Sequence, residues 1–175
     1  MPLALVAIMT VVVVTARAEV IETSDAGFLV KNEALIKGTP VEIYGALTGR
    51  IDRWWDSAHT FSGDSSNLSL DPRPGGCFCE RLPNNGGVTH LTVVFAAPGK
   101  ELRLTGALGP LQPDGLAGSM SWTLSEAGGS TKVELRYSVG GYRSGGLRGL
   151  ASPVDGVLNG QLQRLKKYVE TGQPE

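Results

Sequence analysis

The chain has 175 residues, enough for one domain of ordinary size. Sixteen Lys and Arg against seventeen Asp and Glu give a net charge of −1, which leaves no basic surplus for neutralising phosphates and argues against a nucleic-acid partner. Apolar residues make up 41% and charged residues 19%, so neither a disordered chain nor a coiled coil fits, and 24 Gly with 10 Pro predict many turns.

From Leu3 to Val14 the sequence is almost wholly apolar, and it ends in Ala16-Arg17-Ala18, the small-x-small pattern that a signal peptidase cuts. The run is shorter than the ~20 apolar residues that cross a bilayer. No Lys or Arg precedes it, so either the initiator Met is misplaced or the segment is an uncleaved anchor. The expectation is a signal peptide over residues 1–18 and a periplasmic or secreted protein without stable membrane insertion after cleavage. Residues 19–27 then form an N-terminal extension, 28–172 the domain and 173–175 a tail.

Phe28 to Ile36 reads as a strand, with Phe28, Val30, Ala34 and Ile36 on one parity and Lys31, Glu33 and Lys37 on the other. Thr39-Pro40-Val41-Glu42 supplies a capping box with Pro at the first helical position. Ile43, Tyr44 and Leu47 form the apolar side of a short helix that stops at Gly49, and Ile51 to Trp55 adds a turn. Strand signals follow at Asn67–Leu70, Cys77–Leu82, Thr89–Ala97, Glu101–Thr105, Ala117–Ser125 and Lys132–Val139, joined by Gly-, Pro- and Asn-rich turns. Such short joints predict antiparallel pairing of consecutive strands. The last element is the clearest helix: Val154, Val157, Leu158, Leu162, Leu165, Tyr168 and Val169 make a 3.6-residue stripe that ends at Gly172. Ser152-Pro153-Val154-Asp155 looks like its capping box, and Leu147, Leu150 and Ala151 extend it by a turn.

This order predicts an α+β fold, with about seven antiparallel strands curved around the long C-terminal helix and two short helices after the first strand. The helix must bury its stripe, and the concave side of the sheet is the dry surface available. A hollow left between them suits a small hydrophobic ligand. The layout resembles the SRPBCC (START-like, helix-grip) superfamily, particularly bacterial members related to the activator of a heat-shock chaperone ATPase. The resemblance spans Phe28 to Thr171 and rests on Ile36 to Tyr44, Arg53-Trp54-Trp55, Asp71 to Glu80 and the Ala97-Pro98-Gly99-Lys100-Glu101-Leu102 turn. It implies a hydrophobic cavity, and a function among lipid carriers, cyclases, dehydratases and binding modules.

Candidate lining residues are Trp54, Trp55, Phe61, Phe78, Phe95, Trp122, Tyr137 and Val157, although core filling explains the aromatics equally well. Cys77 and Cys79 share one side of a strand; buried inert thiols are expected, over a disulfide or half of a zinc site with His59 and His90. Glu80 is either an inward carboxylate in an apolar cavity or, as the rarity of buried unpaired carboxylates favours, solvated with the cysteines inward. Gly140 to Gly146 lacks the ending of a phosphate loop and reads as a flexible connection that could rim the cavity. Gly156 and Gly160 inside the last helix point to a close approach or a gap. With no nucleophile signature and no cofactor or metal called for, the expected function is exported binding of a small hydrophobic ligand. The alternatives are a cyclase or dehydratase using Glu80, His90 or Tyr137, and an ATPase-activating chaperone partner.

Overall fold

The computed structural model describes residues 17–175; all but the last two residues of the expected signal peptide lie outside them. Among the described residues eight strands form one antiparallel sheet: β1 (Arg17–Ser24), β2 (Gly27–Lys37), β3 (Leu68–Leu70), β4 (Cys77–Arg81), β5 (Gly87–Ala97), β6 (Glu101–Thr105), β7 (Ala117–Ala127) and β8 (Ser130–Gly140), in the spatial order β1-β2-β8-β7-β6-β5-β4-β3. The helices are α1 (Pro40–Gly49), α2 (Ile51–Trp54) and α3 (Ala151–Thr171). The strand beyond the expected seven is β1: most of the expected N-terminal extension pairs with β2, from Glu19 opposite Lys31 to Ser24 opposite Gly27. Consecutive strands pair throughout, except that β2 pairs with β8, because α1 and α2 carry the chain across to the far edge before the meander returns.

Local chemistry fixes the elements. The Thr39 side chain accepts from the Glu42 amide while the Glu42 carboxylate accepts from the Thr39 amide, closing the capping box of α1. Gly128 and Gly129, at φ 59° and 82°, give the β7–β8 hairpin two successive left-handed residues, the requirement of a type I′ turn. Val133, Leu135, Tyr137 and Val139 of β8 face inward and are buried, as are Met120, Trp122 and Leu124 of β7.

α3 lies against the concave face, mainly across β2, and buries Leu158, Leu162 and Leu165 completely. Each such leucine contributes about 1.5–3 kcal/mol of apolar burial. Polar ties fix its angle: Lys166 donates to the Leu35 carbonyl at 2.7 Å, Arg164 to the Trp54 carbonyl at 2.9 Å, and the Gln161 side chain accepts from the Asp56 amide at 2.9 Å. The expected capping box at Ser152 is not formed. A 3₁₀ turn over Arg148–Leu150 runs directly into the helix, and Asp155 turns inward to accept from Asn32 at 3.0 Å.

Gly156 and Gly160 mark neither a close approach nor a gap beside the cavity. They face solvent, and a methyl group on either would meet no atom within 4 Å outside the helix. Gly156→Ala and Gly160→Ala are therefore each expected to raise the unfolding free energy by about 1 kcal/mol, measurable as a rise in thermal midpoint.

Candidate functional site

Between the sheet and the N-terminal half of α3 lies a cavity of about 370 Å³. Its walls come from four places: Trp55 and Ala58 to Phe61 after α2; Phe78 and His90 of β4 and β5 with Tyr137 of β8; the Leu108–Leu111 turn after β6; and Leu150 just before α3 with Pro153, Val154, Val157 and Leu158 of the helix. It is an apolar chamber with few polar groups, the usual character of a small-molecule site. Phe61, 54% exposed, and exposed Ala58, His59, Pro110 and Pro153 stand on its solvent side.

Five of the eight expected lining residues meet here: Trp55, Phe61, Phe78, Tyr137 and Val157. Trp54 and Trp122 do not. They pack edge to face with centroids 6.1 Å apart in the solid part of the core, and Trp54 donates its indole N–H to the Ala46 carbonyl. Phe95 is on the outer face of the sheet, 41% exposed, with the Arg103 guanidinium 5.2 Å over its ring. Its displacement comes from a break in alternation at Val93/Phe95, where β5 slips register against β6 and Val94 and Phe95 both point outward.

A second break has the opposite effect. Phe78 pairs with Leu91 and Cys79 with Thr89, so β5 carries an extra residue opposite β4, and His90 and Leu91 both turn inward. On β4 the buried parity is Phe78 and Glu80, while Cys77 and Cys79 are on the other face. This corrects the favoured reading of Glu80 as solvated, and the physical reason is that the carboxylate is fully partnered. It accepts backbone N–H groups from Phe61 (3.0 Å) and Ser62, and lies 2.9 Å from His90 Nε2. Burial pushes the Glu80 carboxyl upward, but the hydrogen bonds from Ser62, Phe61 and His90 outweigh it and hold the pKa below the usual 4.5. Burial likewise holds His90 below its usual 6.5, against the pull of Glu80.

The imidazole is held between two rings, Phe78 at 4.8 Å and Phe61 at 5.8 Å, each tilted by about 30° from it. Nε2 faces Glu80, and Nδ1 is buried with no hydrogen-bond partner. Tyr137 also reaches the cavity, but its hydroxyl is committed: it donates to the Gly106 carbonyl (3.2 Å) and accepts from the Leu108 amide (2.8 Å), and burial pushes its pKa up to about 12. It holds the Leu108–Leu111 turn against the sheet and has no hydrogen left for acid–base work.

The sulfurs of Cys77 and Cys79 are joined in a disulfide, in place of the expected inert thiols. His90 is on the opposite face, so the pair and the two histidines do not converge on a metal. The Gly140–Gly146 segment contributes nothing to the cavity wall. It is tied down by Arg143 to Asp114 at 2.7 Å and by the Gly141 amide to the Ala26 carbonyl at 3.1 Å. The lining residues that sequence reasoning passed over are chiefly Leu108, Pro110 and Leu111, whose signal is an apolar cluster inside an otherwise turn-like connection.

A long helix gripped by a curved antiparallel sheet, with an apolar chamber between them, is a helix-grip fold. Solved structures agree. The Aha1 dimer from Colwellia psychrerythraea matches with a TM-score of 0.62 at 20% identity, over 82% of this chain and 97% of that one. CalU16 from Micromonospora echinospora gives 0.58 at 18% identity, over 92% and 84%, and DynU16, a protein of the dynemicin biosynthetic locus, gives 0.56 at 20% identity, over 83% and 48%. No protein-family model matches the sequence, and no curated protein does.

Proposed function

We propose that the protein binds a small hydrophobic molecule inside the chamber between the sheet and α3, and that it does so outside the cytosol. The observation that carries the reading is the chamber itself: about 370 Å³ walled by Trp55, Phe78, Leu111, Val154, Val157 and their neighbours, where close packing would otherwise be expected. The volume accommodates on the order of a dozen heavy atoms, each taking about the room of a water molecule (~30 Å³). Export is supported by the small-x-small end of the apolar leader and by the disulfide, a bond at home in oxidising compartments.

Native mass spectrometry of the protein taken from its own cells tests the reading. The expected result is an added small-molecule mass on the wild type that is absent from Val157→Trp, whose indole fills the chamber. A bare wild-type mass, together with no uptake of an apolar fluorescent probe, would overturn it. The Glu80–His90 pair favours one second reading, acid–base chemistry on the bound molecule, and the origin of DynU16 in a biosynthetic locus supports it. Turnover lost in His90→Phe with binding retained would distinguish it from simple carriage.

A further inference from the structure

The buried polar corner of the chamber is built from the inward bulge of β5. Glu80 accepts a backbone N–H group on each carboxylate oxygen, from Phe61 on Oε2 and from Ser62 on Oε1, so the carboxylate is ionised and acceptor-only. The proton between Glu80 and His90 therefore belongs to Nε2, and a neutral imidazole carrying it there presents a bare lone pair at Nδ1. His90 is 4% exposed and forms part of the cavity wall, and that Nδ1 has no partner in the protein. Phe61 and Phe78 hold the ring flat between them, so its orientation is fixed before anything binds.

Building on the proposed chamber reading, we propose that its ligand is a hydroxyl-bearing apolar molecule, a phenol or enol of about two fused rings, whose O–H donates to His90 Nδ1. Glu80 is the positioning residue: it sets the tautomer and does not touch the ligand. A donor is specified, not an acceptor, because a carbonyl or ether oxygen would set lone pair against lone pair. An all-hydrocarbon ligand would leave Nδ1 as empty as it is now.

The test uses the purified full chain, stripped of bound material by refolding, and two probes with the same number of heavy atoms, 2-naphthol and 2-methylnaphthalene, titrated by their own fluorescence. The expected result is a preference of about tenfold for the naphthol, equivalent to ~1.4 kcal/mol. In His90→Phe, which keeps a ring between Phe61 and Phe78, the order is expected to reverse, because the hydroxyl would then be buried unpaired. Should that variant fail to fold, the ¹⁵N resonance of Nδ1 in the wild type gives the same answer, moving with the naphthol and not with the hydrocarbon. Equal binding of both probes, or a preference for the hydrocarbon in the wild type, overturns the hydrogen bond and leaves the chamber reading standing. Failure of both probes to bind at their solubility limits overturns both.

Discussion

Glu80→Ala is expected to lower the unfolding free energy by about 3 kcal/mol or more, because three donors lose their partner at roughly 1–3 kcal/mol apiece. The side chain is wholly buried, and its loss strands the Phe61 and Ser62 amides along with His90 Nε2. Chemical denaturation of the variant beside the wild type measures the effect, and a loss below ~1 kcal/mol would show that water replaces the carboxylate in its pocket. The same pair sets the acid limb of stability. His90 titrates below 6.5 in the folded state, so as pH falls from about 6.5 the unfolded chain takes up a proton that the folded one refuses, and stability declines. Glu80 titrates below 4.5 when folded, so a second decline begins as pH falls from about 4.5. Both losses are acidic, and His90→Phe should remove the first and shrink the second, since His90 is one of the partners that hold the Glu80 pKa down.

Gly118→Val is expected to cost more than about 3 kcal/mol, at the severe end of overpacking. A Cβ at Gly118 would overlap the Gly106 carbonyl oxygen and approach the Tyr137 ring and hydroxyl at 3.0 Å. Gly106 is the acceptor that orients Tyr137, whose hydroxyl in turn holds the Leu108 amide, so the collision acts on the wall of the chamber as well as on the strands. Thermal melting should show the loss, and probe uptake measured well below the melting point should weaken out of proportion to it. Tyr137→Phe gives the milder comparison, removing both hydrogen bonds with no overlap.

What could be read from the sequence, and what could not, divides along physical lines. The capping box at Thr39, the stripe from Val154 to Val169 and the Gly128-Gly129 hairpin are decided within a few residues of themselves, and each forms as expected. Strand periodicity holds wherever alternation is unbroken, as along β2 and β8. It fails on β5, because a bulge is a property of two strands: nothing in Thr89 to Ala97 announces that His90 and Leu91 share a face. The inward parity of Glu80 depended on donors from Phe61 and Ser62, which lie far enough along the chain that only folding brings them over. Ser152 to Asp155 imitates a cap, but Asn32, 123 residues from Asp155, claims the carboxylate.

The two slips along β5 have a joint outcome. Each displaces the inward–outward alternation by one residue, so the inward parity passes from Val88 and His90 to Leu91 and Val93 and returns at Ala96, while the register against β6 stays offset by one residue. The irregularity is thereby quarantined to a short stretch in mid-strand. Chemistry at the floor of the chamber can be exchanged, in evolution or by design, as a self-contained cassette while the surrounding scaffold stays unaware of the change.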